Sequence, residues 1–339
     1  MNANLKAEAT PPATSTEPRR KRSLGETLRR QPVLVLGLVF IVLYLITGLL
    51  DPTMFSAAGV RSILLLAAPL GIFAAAQTLA MLTGGIDMSI TMTANLAAYV
   101  AANFAGASQL EALAFAFGIG LIVGVLNGIG IGVFKVNALI MTLGVSSILL
   151  GLTIVGMKTG GILAGSKDIL PIVSYLGGGS LIGPIPASAL VWIPLSIALI
   201  WGLKQTGLGR AIYAIGDNPT ASRLGGIRVP LVLIAVYAMS GLLATLGGLL
   251  FSGISSSIGP DQTNGYLLPA IAAVVIGGTS ILGGIGGYGG TIMGVLILTL
   301  LNRLLLTLDT SEAMRQIIFG IIVLTLAWVY VRISGQRTT

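Results

Sequence analysis

Neither cysteine nor histidine occurs in these 339 residues. Their absence excludes disulfides, thiolate nucleophiles, imidazole bases and Cys/His metal sites, and leaves the redox compartment unread. Charge is scarce too: Asp, Glu, Lys and Arg make up 9% of the chain, against roughly a quarter in soluble domains. What is present is apolar, 55% of residues with a mean hydropathy of +0.97. It comes in runs long enough to cross about 30 Å of hydrocarbon as helices. Such runs, following one another with short breaks, describe an all-α integral membrane protein and exclude a β-barrel. Glycine is abundant at 47 residues, as where membrane helices pack closely.

Ten spans fit: 33–50, 60–82, 88–105, 111–134, 138–157, 188–203, 231–253, 266–282, 287–307 and 316–332. With the N-terminus inside, Lys135, Lys204, Arg210, Arg223, Arg228, Arg332 and Arg337 are inside too. Adding Lys6, Arg19–Arg22 and Arg29–Arg30 puts fourteen of the 19 basic residues on the cytoplasmic side, with both termini. The net charge of +8 follows this topology and does not point to nucleic acid. Residues 1–32 read as a disordered basic cytoplasmic tail that meets an anionic membrane surface. Val33–Leu50 is long enough to span, which argues against a cleaved signal peptide; a twin-arginine export signal is a weaker alternative. The transmembrane domain is expected over 33–332, interrupted by a loop at 204–230, with a cytoplasmic tail at 333–339.

That loop is the strongest local signal. Asn218 can accept from the free N–H groups at a helix start, Pro219 suits the first helical position, and Gly225 or Gly226 can end the helix left-handed. Pro219, Thr220, Ala221, Ser222, Arg223 and Leu224 then form a stiff short helix between two spans. It is built either to be pushed by a partner or simply to close a turn.

Gly120, Gly124, Gly128 and Gly132 recur every four residues in the fourth span, and Gly286, Gly290 and Gly294 in the ninth. Each ladder puts a groove on one helix face, for packing or for lining a pathway. A short echo links Ala80–Gly85 with Val274–Thr279. Asp87, in Gly84–Ser89, either caps a helix or marks a broken-helix site beside a permeation path. Asn95 and Asn127 inside spans, and Asn137 at a span edge, are similar candidates, each for bonding another helix or an uncharged solute. Arg303 either snorkels or pairs with Asp309 or Glu312.

Two stretches imitate nucleotide sites. Gly160–Lys167 has P-loop glycine spacing, but Ser166 stands where lysine is required and Asp168 would repel phosphate. Gly284–Gly289 satisfies G-x-G-x-x-G but joins two spanning runs, with no strand before it. No cofactor or metal is expected, and any ATP would be hydrolysed by another subunit.

Four stretches, in this order, resemble the permeases of ribose-type monosaccharide ABC importers: Gly84–Ser89, Val136-Asn137 with Thr142-Leu143-Gly144, Gly209-Arg210 through Gly226-Ile227, and Ala270–Ser280 with Gly283-Gly284. The resemblance covers roughly residues 60–331. It implies a non-catalytic subunit of the bacterial cytoplasmic membrane that pairs with a second permease, identical or not. The partners implied are an ATP-binding cassette ATPase and an extracytoplasmic sugar-binding protein. It also implies that the helix after Asn218 couples to the ATPase, with Arg210, Asp217 and Gly225 flanking it. Leu267, Pro269, Asn137-Ala138 and Arg303 depart from the common pattern. A related branch carries branched-chain amino acids, so sugar and amino acid both stay open. An ion-coupled secondary transporter is the rival; it needs a charged relay inside the spans, for which Asp87 is the sole acidic candidate.

Overall fold

The computed structural model describes residues 32–104, 108–159 and 168–335. The basic tail through Gln31, the Gly160–Lys167 stretch and Arg337 lie outside the described residues. Helices account for nearly everything. In order they are α1 (Pro32–Leu50), α2 (Ala57–Leu82), α3 (Ile90–Asn103), α4 (Gln109–Gly132), α5 (Ala138–Thr159) and α6 (Pro171–Gly178). A small antiparallel ribbon of β1 (Ser180–Ile182) and β2 (Ile185–Pro186) follows. The second half holds α7 (Ala187–Gln205), α8 (Gly207–Asp217), α9 (Pro219–Leu224), α10 (Val229–Ser255), α11 (Leu267–Ile276), α12 (Tyr288–Thr307) and α13 (Glu312–Gly335). Among the described residues six of these, α2, α4, α5, α7, α10 and α12, are long and apolar enough to cross a membrane.

Helix α2 is the axis of the molecule. Its small residues Ala67, Ala68, Ala74, Ala75, Ala76 and Ala80 are fully enclosed, so neighbouring helices approach its backbone. At the other extreme, α5 turns Leu139, Ile140, Leu143, Ile148 and Leu152 outward, a surface suited to lipid.

The first glycine ladder faces α10 along its length, the two helices running antiparallel. Gly120 lies against Gly241 and Thr245, Gly124 against Tyr237 and Ala238, Gly128 against Ile234, and Gly132 against Pro230. A methyl group at Gly128 would sit 2.5 Å from Ile234 Cα, closer than any real contact. On the second ladder, Gly290 packs on Gly277 and Gly294 on Ala273, which joins α11 and α12 into a hairpin. Gly286 is not on that helix: it stands in the preceding loop with φ +118°, because Gly286 and Gly287 take conformations that delay the helix until Tyr288.

Two of the expected spans are shorter than their apolar runs. The run at 88–105 yields only the 14-residue α3, because Asp87 and Ser89 organise a turn ahead of Ile90. The run at 266–282 yields the 10-residue α11, which stops at Ile276 where Gly277 and Gly278 (φ +83°) break it; Ile281 and Leu282 extend the hydrophobicity but lie in a loop. At the other terminus α13 continues to Gly335, into the segment expected as a tail.

Arg303 pairs with Asp51 at 2.7 Å, and neither Asp309 nor Glu312 is its partner. Glu312 instead pairs with Arg315 three residues on. Both sequence-near acids were plausible, but the chain folds α1 against α12 and presents a carboxylate 252 positions away. Arg61 also serves this end of the molecule, donating to the Gly178 carbonyl at 2.8 Å and holding α6 and the ribbon against α2.

Candidate functional site

The segment between α7 and α10 begins with a helix that was not expected. Thr206 caps α8 by accepting from the Gly209 N–H at 3.0 Å, and Leu208, Ile212 and Ile215 fall on one face at helical spacing. Ile212 and Ile215 are fully buried, so α8 is clamped to the transmembrane core. The signal was present in that spacing, but it is only two turns long.

Helix α9 follows at once. Asn218 Oδ1 accepts from Thr220 N–H at 3.0 Å and Ala221 N–H at 2.9 Å, Pro219 occupies the first position, and Gly226 takes the left-handed conformation with φ +85°. Gly225 stays right-handed. Ser222 is buried beneath the helix, whereas Asp217, Asn218, Pro219, Thr220, Ala221, Arg223 and Gly225 are exposed, and Leu224 is 86% exposed. Arg210 is exposed too and reaches the Gln205 carbonyl at 3.3 Å. The result is a protruding, apolar-tipped, basic knob on a rigid base.

The base of the knob meets the two broken-helix loops. Gly216 lies against the Leu82 carbonyl at the end of α2 and against Gly284 in the loop 277–287. A methyl group at Gly283 would sit 2.8 Å from Gly84 N and 2.9 Å from Gly216 Cα, and one at Gly284 would sit 3.0 Å from Asp217 Cα. Gly284 N–H donates to the Leu82 carbonyl at 3.1 Å, and the Tyr213 hydroxyl donates to the Gly286 carbonyl at 3.0 Å. Partial burial pushes the Tyr213 hydroxyl upward, so it remains a neutral donor. The first of the two echoing stretches therefore touches the loop that follows the second, with the end of α8 against both.

A second cluster holds the loop between α2 and α3. Asp87 is buried; its Oδ1 accepts from the Ser89 N–H (2.9 Å) and hydroxyl (2.6 Å), and its Oδ2 accepts from Ser240 Oγ at 2.7 Å. Asn127 donates to Ser89 Oγ at 2.8 Å. Thr142 Oγ1 accepts from Met88 N–H at 2.9 Å and donates to the Ala138 carbonyl at 2.8 Å. One loop is thereby tied to α4, α5 and α10. Among the described residues no lysine or arginine is paired with Asp87.

The other two candidates lie elsewhere. Asn95 donates to the Pro260 carbonyl, where the segment after α10 folds back onto α3; Thr263 Oγ1 reinforces that contact by donating to the Thr91 carbonyl at 2.7 Å. Asn137 is exposed and caps α5, accepting from Leu139 N–H at 2.9 Å. Asp87 and Asn127 thus share a cluster that Asn95 and Asn137 do not join. Among the described residues no group of three or more acidic side chains is placed to hold a metal.

Comparison with known proteins places this geometry. The family described as branched-chain amino acid transport system / permease component matches residues 59–327. The ribose import permease RbsC of Escherichia coli (strain K12) is 36% identical over 292 residues, 85% of this chain and 90% of the relative. RbsC of Bacillus subtilis (strain 168) is 33% identical over 287 residues, 84% and 88% of the two chains. The fructose import permease FrcC of Rhizobium meliloti is 32% identical over 301 residues, 86% and 82%. No solved structure matches the chain. The chain belongs to the branched-chain amino acid transport system / permease component family, and it is a relative of the ribose import permeases.

Proposed function

We propose that this chain is the membrane-spanning subunit of an ATP-binding cassette importer that carries a monosaccharide inward across the bacterial inner membrane. It crosses about ten times with both termini cytoplasmic, which puts α9 on the cytoplasmic side. A second permease copy or homologue completes the pathway, a cassette ATPase binds beneath, and an extracytoplasmic binding protein delivers the solute. The observation that carries this reading is the knob at Asn218–Leu224: its tip is exposed, and the helix before it sets Gly216 against Leu82 and Gly284 at its foot. Cassettes that bind α9 differently in their open and closed states would bias the two broken-helix loops, whereas equal binding in both states would shift nothing. The family description favours a branched-chain amino acid as the alternative solute, while the named relatives carry ribose and fructose, and we adopt the sugar. Asp87 and Asn127 then serve chiefly to hold the broken-helix loop. Arg223→Glu with Leu224→Asp is expected to abolish sugar uptake by the reconstituted importer while membrane insertion is unchanged. Normal uptake by that double variant would remove the coupling role.

A further inference from the structure

A cavity of about 190 Å³ is lined by Leu79 of α2, Leu199 and Leu203 of α7, Leu208 and Ile212 of α8, and Met239 of α10. Leu79 lies one turn before the end of α2 and Leu203 is in the last turn of α7, so the cavity sits at the same end of the molecule as α9. Its one polar side chain, Thr206, is already bonded at both ends: the hydroxyl donates to the Gly202 carbonyl at 2.6 Å and accepts from the Gly209 N–H at 3.0 Å. Such a lining offers no partner to water or to a polar solute. Ala198 and Leu208 are exposed at its edge, and nearby on α7 Ile197 and Trp201 are more than half exposed, a surface suited to lipid. Positive charge stands at the same end. Arg210 lies over the turn from α7 to α8: its Nη1 donates to the Gln205 carbonyl at 3.3 Å, and a methyl group at Gly207 would be 3.9 Å from its Nη2. Lys204 is exposed in the last turn of α7. Among the described residues neither Arg210 nor Lys204 forms an ion pair.

We propose that this cavity holds one acyl chain of an anionic phospholipid of the inner leaflet, whose phosphate is met by Arg210. The proposal rests on the functional reading above only for the cytoplasmic placement of α9. Lipid tails are as apolar as leucine, so the cavity by itself gains little by taking one from the bilayer. The headgroup supplies the selection. The guanidinium fork of Arg210 suits phosphate oxygens, and the first turn of α8 adds the positive end of its dipole. Cations at the inner membrane surface attract anionic lipid. A zwitterionic lipid offers the same chain and phosphate but carries its own cation, so it is retained less. Once inside, the chain supplies contacts that the lining residues of an empty cavity lack. Leu208 and Ile212 form one wall, so the chain braces the helix whose far end, at Gly216, touches the broken-helix loops.

The test counts lipid. The permease–cassette complex is extracted from vesicles of equal phosphatidylglycerol and phosphatidylcholine, and the lipids it keeps are counted by native mass spectrometry. The parent complex is expected to keep one phosphatidylglycerol per permease in preference to phosphatidylcholine. A methyl group at Gly202 would meet nothing within 4 Å, so Gly202→Leu fills the cavity without displacing a neighbour. It is expected to lower the phosphatidylglycerol kept at least fivefold. Arg210→Gln is expected to lower it roughly fivefold, as for one cation at the membrane surface. Equal retention of the two lipids by the parent, or unchanged retention in Gly202→Leu, overturns the proposal, because the lipid is then merely annular. A protein seated at the edge of the cavity overturns it too. Leu208→Cys gives this cysteine-free chain a single thiol for a benzophenone, which in that case captures another chain of the complex and no lipid. Should Gly202→Leu fail to insert, Arg210→Gln and the benzophenone decide. Retention is read without transport, so a complex that keeps phosphatidylglycerol but moves no sugar sinks the functional reading and leaves this site standing.

Discussion

Tyr213 on α8 and Gly286 ahead of α12 are joined by a 3.0 Å hydrogen bond across 73 residues of sequence. It connects α8 to the loop 277–287 through a side chain. Tyr213→Phe removes it while keeping the ring. The expected result is a loss of roughly fivefold in solute moved per ATP, as for one neutral hydrogen bond of about 1 kcal/mol, with the cassette still bound. Measuring uptake and ATP hydrolysis on the same proteoliposomes checks this; a matching fall in both would point to lost assembly instead.

The glycines of α4 and α5 divide into two classes. A methyl group at Gly124 would lie 2.8 Å from Ala238 Cα on α10, whereas at Gly151 it would meet nothing within 4 Å. Gly124→Ala is expected to destabilise by about 2 kcal/mol through overpacking. Gly151→Ala is expected to be neutral or to stabilise by up to about 1 kcal/mol through helix propensity. Thermal unfolding midpoints of the two purified variants, compared with the parent chain, decide the matter.

The Asp51 carboxyl is held below its ordinary value of 3.8, chiefly by the hydrogen bond from the Thr53 hydroxyl and then by Arg303. The folded state therefore favours the ionised form more than the unfolded state does. This stabilisation is fully present above the unfolded pKa and fades as pH falls through the folded one. Melting curves of the parent chain are expected to fall with acidity below about pH 4, the ordinary aspartate range. Asp51→Asn should begin from a lower midpoint at neutral pH and lose this part of the acid dependence; identical slopes would show that the pair contributes nothing.

Features set by neighbours in sequence were legible, and those set by distant neighbours were not. The α9 cap could be read because Asn218, Pro219 and Gly226 act within one turn of each other. The α8 helix carried a readable pattern, but Gly207 and Gly209 beside Leu208 masked it as a loop. Hydropathy alone overran at Gly277, since Ile281 and Leu282 are as apolar as a span and only the backbone of Gly278 and Gly283 (φ +92°) shows that the chain has turned. The partner of Arg303 was beyond reach, because Arg303 pairs with a carboxylate brought in by helix packing.

At the foot of the knob, Gly216, Leu82 and Gly284 meet backbone to backbone with no side chain between them. A linkage cushioned by flexible side chains would absorb small displacements through rotamer changes before passing any of them on. This one has no backlash: a shift of α8 by a fraction of an ångström must either be transmitted to both loops together or be resisted outright. Whatever displaces the end of α8 thus acts on the end of α2 and on the loop 277–287 together.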